Sequence, residues 1–243
     1  MNILIPIAGD SLEIESNGYI KSLYEINRKI AFQHVYESLC SISDAHFILV
    51  LRESDVKKFH FDDMMRLLIP DATILVSQGE TCGSACTCLL AIDYINNDEP
   101  LLISGCDQLI THSWKKIMDS FQKQDMDGGV VCFDALHPKW SYVKLDKDGL
   151  VCEAAEKHTI SRKATTGQYY FRHGSDFVSA AFKMIEKDVR INGQYYVCPC
   201  YNEMILNQAR IGAYFIGQDE YFSLKDQKNM DAYGEYLKQG AQK

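Results

Sequence analysis

Four short apolar runs fall within the first 105 residues: Asn2–Ile7, Phe47–Leu51, Thr73–Ser77 and Leu101–Gly105. The segments between them carry apolar residues at helical spacing, as at Ile30, Phe32, Val35 and Leu39. Val56 to Leu68 also reads as a helix, ending at a Pro70-Asp71 turn, and Thr81 to Ile95 as another, with Ala85, Leu89, Ile92 and Ile95 on one face. Short buried strands alternating with helices leave few folds open and predict a parallel, doubly wound α/β sheet.

The second half of the chain has a different rhythm. Gly129–Phe133, Ser141–Leu145 and Val151–Ala154 read as strands, and Asp146-Lys147-Asp148-Gly149 between the last two is a hairpin turn. Thr166–Phe171 is a further strand, followed by a helix over Asp176–Lys187 with Ser175 as its expected cap. Tyr201–Asn207 reads as helix, Ala213–Ile216 as a last strand, and Met230–Leu237 closes the chain. An antiparallel portion is therefore expected on a mainly parallel sheet.

The fourth run, Leu101-Leu102-Ile103-Ser104-Gly105-Cys106-Asp107-Gln108, ends an apolar strand in small residues and then presents a carboxylate. In open α/β sheets the ligand crevice lies outside the carboxyl ends of the strands. A carboxylate there suits a hard divalent cation, which takes one or two protein carboxylates plus substrate phosphates. Asp107 reads equally as the cap of a following helix, and both roles stay open at this level.

Composition narrows the partners. With 47% hydrophobic and 24% charged residues, the 243-residue chain is an ordinary globular sequence. Its net charge of −8 argues against nucleic-acid and anionic-membrane partners, which need clustered basic residues. No run approaches the roughly 18 apolar residues of a membrane span, and Met-Asn-Ile-Leu-Ile-Pro lacks the basic start of a signal peptide, so a cytoplasmic protein is expected. The nine cysteines suit reduced thiols. Neither Cys82, Cys86 and Cys88 nor Cys198-Pro199-Cys200 has the paired spacing of a zinc site, so both groups are expected in the core.

Four segments, in order, resemble the sugar nucleotidyltransferases of the nucleotide-diphospho-sugar transferase superfamily. Ile5-Pro6-Ile7-Ala8-Gly9 is similar to the family's strand and phosphate loop, and Tyr19-Ile20-Lys21-Ser22-Leu23 to its lysine-bearing segment. Gln78-Gly79-Glu80-Thr81-Cys82-Gly83 resembles the element that receives the base, and Asp107 the family's metal aspartate. Ala155-Glu156-Lys157 and Ala164-Thr165-Thr166-Gly167 resemble the segments that hold the acceptor. His137–Tyr142 and Tyr196–Glu203 are similar to segments of a branch tied to capsule and surface-polysaccharide synthesis.

The resemblance implies a Rossmann-like fold of the glycosyltransferase-A type, formed by one domain over 1–243. Residues 1–110 would be the nucleotide-binding half and 111–243 the acceptor-binding half. It implies transfer of a nucleotidyl group from a nucleoside triphosphate, CTP being favoured, to a phosphorylated sugar or other phosphorylated metabolite, with release of pyrophosphate. The implied catalytic residues are Lys21, Asp107 and Lys157, with Mg²⁺ on Asp107. Ala8, Gly9, Gln78, Gly79 and Gly83 would bind the nucleotide, and Glu156, Thr166, Gly167 and Tyr142 the acceptor. The aromatics Tyr195, Tyr196, Tyr201 and Tyr214 are candidates for a homodimer surface.

Two positions depart from the family pattern. Glu13 stands where an arginine is expected in the phosphate loop, and Ser223 where a second metal carboxylate is expected, with Asp226 near but out of register. Two other readings therefore stand beside the first: a glycosyltransferase of the same fold using a nucleotide-sugar donor, and a homologue that binds nucleotide without turnover. The positions after Asp107 are Gln108 and Leu109, not the second acid of an Asp-x-Asp pair.

Overall fold

The computed structural model describes residues 1–8 and 18–240. The first half runs β1 (Asn2–Ile7), a small ribbon of β2 (Glu25–Ile26) and β3 (Lys29–Ile30), α1 (Ala31–Leu39), β4 (His46–Arg52), α2 (Glu53–Phe59), α3 (Phe61–Leu68), β5 (Thr73–Ser77), α4 (Ser84–Leu89), α5 (Ile92–Ile95) and β6 (Leu101–Ser104). β1 lies between β4 and β6 with β5 outside β4, and all of these pairings are parallel.

The second half runs β7 (Gln108–Ile110), α6 (Trp114–Lys123), β8 (Gly128–Asp134), β9 (Tyr142–Leu145), β10 (Val151–Ala155), β11 (Lys163–Phe171), α7 (Gly174–Glu186), α8 (Cys200–Leu206), β12 (Ile211–Phe215), β13 (Tyr221–Ser223) and α9 (Gln227–Gly240). β11 joins the halves. It runs antiparallel to β6, to β8 and, at Ala164, to β9. The main sheet follows the order β10-β9-β11-β6-β1-β4-β5, with β8 and β12 continuing from β11. This is the expected mixed, mainly parallel α/β fold with an antiparallel portion.

Strand alternation explains the two apolar layers. Successive side chains of a strand point to opposite faces. Ile3, Ile5 and Ile7 of β1 join one core with α1, α3, α6 and α9, while Leu4 joins the other with α4, α5, α7 and α8. β4 divides in the same way, Leu49 and Leu51 to the first core, Ile48 and Val50 to the second. A strand buried on both faces is apolar throughout, which is why these runs are continuous in the sequence.

Several local expectations change. The helix read over 56–68 is two, broken at His60, whose φ of +53° is left-handed. The helix over 81–95 begins only after Gly83 and is likewise divided, into α4 and α5. Ser175 does not cap α7. That helix starts at Gly174, and the carbonyls of Glu99 and Asn97 accept the backbone N–H groups of Gly174 and Ser175. With those donors satisfied by a neighbouring loop, no side-chain cap is required. Gly174 has no room for a side chain, because a Cβ would lie 1.9 Å from the Ile95 carbonyl oxygen.

The Asp146 turn forms as read: its carboxylate accepts the N–H groups of Asp148 and Leu150, both at 2.9 Å, and β9 and β10 pair antiparallel. Cys88, Cys198 and Cys200 are buried as expected, but Cys82 is exposed and Cys86 half-buried. Among the described residues, no helix is long and apolar enough to cross a membrane.

Tyr201 of α8 ties the second core to the sheet. Its ring is fully buried, and its hydroxyl lies 2.9 Å from the Gly129 carbonyl oxygen and 2.8 Å from that of Tyr170. Tyr201→Phe leaves those carbonyls short of a donor and is expected to cost about 1–3 kcal/mol. Urea unfolding checks this as a lowered midpoint with an unchanged slope.

Candidate active site

The carboxyl ends of the four parallel strands open on one cleft of about 450 Å³. Ala8 follows β1, Arg52 ends β4, Glu80 follows β5, Ser104 ends β6 and Gly105 through Asp107 follow it; all line the cleft. The facing wall comes from the second half, including Trp140, Ser141, Glu156, Lys157, Gly167 and Tyr196, with Lys225 at its edge. This is the crevice position that the sheet topology favours for ligands.

Asp107 does not cap a helix: α6 begins only at Trp114, with Ser113 at its N-cap. Instead the chain turns at once into β7, which pairs antiparallel with β13, Gln108 opposite Ser223. The Leu224 N–H donates to the Asp107 carbonyl oxygen at 2.6 Å. That register delivers Lys225 to Asp107. Burial raises the Asp107 carboxyl above the usual carboxylate range, while the charges of Lys225 and Lys21 pull it back.

Gly167 fits for a steric reason. Its φ is +85°, and a Cβ would lie 1.5 Å from the Gln108 carboxamide. The Gly105 N–H donates to the Gly167 carbonyl at 3.2 Å, closing β11 onto the end of β6. Oriented so that both its polar atoms are partnered, the Gln108 carboxamide donates to the Thr166 carbonyl at 2.9 Å and accepts from Lys225 Nζ at 3.2 Å.

On the facing wall, the Ser141 hydroxyl donates to the Glu156 carboxylate. Burial raises the Glu156 carboxyl, opposed by that hydrogen bond and by Lys157 and Lys225. Lys157 holds a left-handed φ of +53°, a conformation non-glycine residues rarely adopt outside constrained sites. Its ammonium donates to the Tyr196 hydroxyl at 2.7 Å, and that hydroxyl donates to Gln194 at 2.9 Å. Gly83 packs against the same segment: with φ +113°, its Cβ would lie 2.4 Å from the Tyr195 carbonyl oxygen.

Of the residues singled out in the sequence, the cleft brings together Ala8, Lys21, Gly83, Asp107, Glu156, Lys157 and Gly167. Tyr142 belongs elsewhere: it is fully buried in the first core, and its hydroxyl donates to the His137 carbonyl at 2.7 Å. Thr166 is also buried, bonded to the Val131 carbonyl; strand alternation turns Thr165 toward the cleft and Thr166 away. Gln78 and Gly79 are exposed in the turn after β5 and do not line the cleft, which begins at Glu80. Gly9 and Glu13 lie outside the described residues.

Three cations were missed: Arg52, Lys139 and Lys225. Arg52 ends a parallel strand, the signal that exposed Asp107, whereas Lys225 depends on the β7–β13 register. Among the described residues the lining holds five cations (Lys21, Arg52, Lys139, Lys157, Lys225) against three carboxylates (Glu80, Asp107, Glu156). That excess of positive charge among the described lining residues, in a chain of net charge −8, is a local feature that favours a polyanion.

The described residues build no protein cage for the magnesium ion expected on Asp107. Among the described residues no three His, Cys, Asp or Glu side chains are grouped to hold a metal. The Asp107 carboxylate already feels two ammonium groups. Asp226 is spent on the start of α9, where its two oxygens accept from the Asn229 N–H and side-chain amide.

A family model described as nucleotidyl transferase matches residues 16–203. No curated protein matches the sequence. Among solved structures, the chain is similar to a nucleoside-diphosphate-sugar pyrophosphorylase from Vibrio cholerae RC9, with a TM-score of 0.80 and 23% identity over 96% of this chain and 99% of that one. A UDP-glucose pyrophosphorylase complexed with UDP-glucose gives a TM-score of 0.75 at 16% identity, covering 98% of each chain. The inositol-1-phosphate CTP transferase from T. maritima gives 0.73 at 11% identity, over 94% of this chain and 90% of that one.

Two outcomes follow from the geometry. Gly167→Ala is expected to cost about 2–4 kcal/mol from overpacking plus the left-handed φ; adding Gln108→Ala should recover only the overpacking part, as urea unfolding of both variants would show. The second concerns pH. A carboxyl whose folded-state pKa is raised binds its proton more tightly in the folded chain, so stability falls as pH climbs from the ordinary carboxylate range through the raised value. Glu156→Gln should flatten that fall in a series of melting curves.

Proposed function

The chain belongs to the nucleotidyl transferase family, and we propose that it joins a nucleoside monophosphate from a nucleoside triphosphate to a phosphorylated small molecule, releasing pyrophosphate. The observation that carries this reading is the cationic cleft at the carboxyl ends of the parallel strands, facing an acceptor wall with its own lysines.

A phosphate oxygen of the acceptor attacks the α-phosphorus of the triphosphate, and the bond to the oxygen bridging to the β-phosphorus breaks. The nucleophile is already an anion, so no side chain has to take a proton from it. The protein's work is to align two anions that repel each other and to stabilise the charge that develops between them. Lys21 and Arg52 answer the triphosphate from the strand ends. The backbone at Ala8 lies beside it, and the segment from Glu80 through Gly83 and Thr87 takes the nucleoside. Lys157, aimed by Tyr196, binds the acceptor phosphate, and Glu156 with Ser141 binds the acceptor body. Magnesium is given no protein site in this reading.

The acceptor is a phosphorylated sugar or a phosphorylated alcohol of similar size, and CTP is the proposed nucleotide. CTP rests on the sequence resemblance, with a CTP transferase among the similar structures as a supporting likeness. A role in capsule or surface-polysaccharide synthesis rests on the resemblance carried by His137–Tyr142 and Tyr196–Glu203. A glycosyltransferase reading gains nothing from the cleft, where the carboxamide of Gln108 is engaged beside Asp107.

The test is pyrophosphate release from each of four nucleoside triphosphates with a panel of sugar and alcohol phosphates. Release with one nucleotide is expected, with kcat/KM lowered about 10²–10³-fold by Lys21→Ala. Silence with every nucleotide and acceptor would overturn the reaction.

A further inference from the structure

The segment where the family pattern calls for a second metal carboxylate, Tyr221 to Asp226, delivers an ammonium to the cleft instead. We infer that Lys225 is a built-in cation of the reacting centre, standing where a protein-held divalent ion would stand and contacting the phosphates being exchanged. This deepens the nucleotidyl-transfer reading and rests on it.

The placement is fixed by backbone. β13 pairs with β7 so that Ser223 faces Gln108, and the Leu224 N–H holds the Asp107 carbonyl at 2.6 Å. Lys225 comes next in the chain, so its backbone stays beside Asp107 while that contact holds. Its Nζ lies 3.2 Å from the Gln108 carboxamide oxygen, and that carboxamide is itself pinned by the Thr166 carbonyl and by the bare backbone of Gly167. The ammonium is thus aimed by a polar chain, while its exposure to the cleft keeps it within reach of a ligand.

Electrostatics point the same way. The Lys225 charge acts on the Asp107 and Glu156 carboxylates together, bridging the nucleotide side and the acceptor side of the cleft. A divalent ion on Asp107 would share the cleft with that ammonium, and like charges repel. The neighbouring carboxylate, Asp226, is turned to the N-terminal turn of α9 and supplies no second ligand. An ammonium offers three donors to phosphate oxygens and needs no carboxylate cage. Divalent ions then enter only as counter-ions carried by the triphosphate.

The deciding measurement is Mn²⁺ uptake by the nucleotide-free protein, followed by electron paramagnetic resonance. The wild type is expected to leave Mn²⁺ free at sub-millimolar concentration, and Lys225→Asp to gain a site that Asp107→Ala removes again. Uptake of one Mn²⁺ per wild-type chain, lost in Asp107→Ala, would overturn the inference without any need for the Lys225 variants to fold. A second arm measures tripolyphosphate binding by calorimetry in the presence of chelator. Lys225→Met should weaken it about tenfold to a hundredfold, the loss expected for a charge-assisted hydrogen bond, with Lys225→Arg restoring most of it. Unchanged affinity in Lys225→Met would also overturn it. If both arms come out as expected while no nucleoside triphosphate yields pyrophosphate, the reaction fails and the assignment of Lys225 as a polyphosphate-binding cation stands.

Discussion

Everything in the cleft depends on how β11 lies against β6. A parallel sheet normally presents its carboxyl ends to open solvent, with loops as the only furniture. Here a long antiparallel strand runs beside the last parallel one, and its first half continues past the end of β6. That overhang becomes the second wall. It needs one residue with no side chain, because the Gln108 carboxamide occupies the space a Cβ at position 167 would take, and Gly167 meets both that need and the left-handed φ. A single backbone contact, Gly105 to Gly167, closes the seam.

The seam also sets the charge balance. Asp107 and Glu156 sit on opposite walls, both raised by burial and both under the influence of Lys225. Among the described residues the three carboxylates of the cleft offset part of the charge of its five cations. In the proposed reaction an incoming polyanion competes with those carboxylates for ammonium groups already held in position. The entropy of ordering the lysines is then spent during folding rather than at binding, which is the general advantage of a preorganised site.

Much of this was legible from residue order. β1 matches the apolar run Asn2–Ile7, because a strand buried on both faces advertises itself as an unbroken apolar segment, and β5 matches Thr73–Ser77 although it is an edge strand with Val76 exposed. Asp107 was legible because a carboxylate straight after such a strand has few places to go. Other features depended on contacts that no local pattern carries. Tyr142 and Thr166 sit in segments that line the second wall of the cleft, yet a period of two turns them away from it, and a motif read as a block does not say which alternate residues face inward. The N-terminus of α7 looked as though it needed Ser175, but carbonyls more than seventy residues earlier in the chain supply the acceptors. β7 and β13 are three residues each, too short for periodicity to register, and their pairing is what brings Lys225 home.

That last miss carries the most chemical weight. In the segment from Tyr221 to Asp226 the family pattern asks for an acid, Ser223 stands near that place, and Asp226 is out of register. The register answers with the residue between them. Ser223 is paired with Gln108, Asp226 faces its own helix, and the position left to face Asp107 holds a lysine. A carboxylate at 225 would add negative charge to a cleft meant, on the proposed reading, for two polyanions, and would have to recruit a metal to offset it. A lysine reaches the same charge balance within the chain itself. On the proposed reading, a lysine at 225 is therefore a different solution to one electrostatic problem, and Asp107 can stand beside it without a second carboxylate.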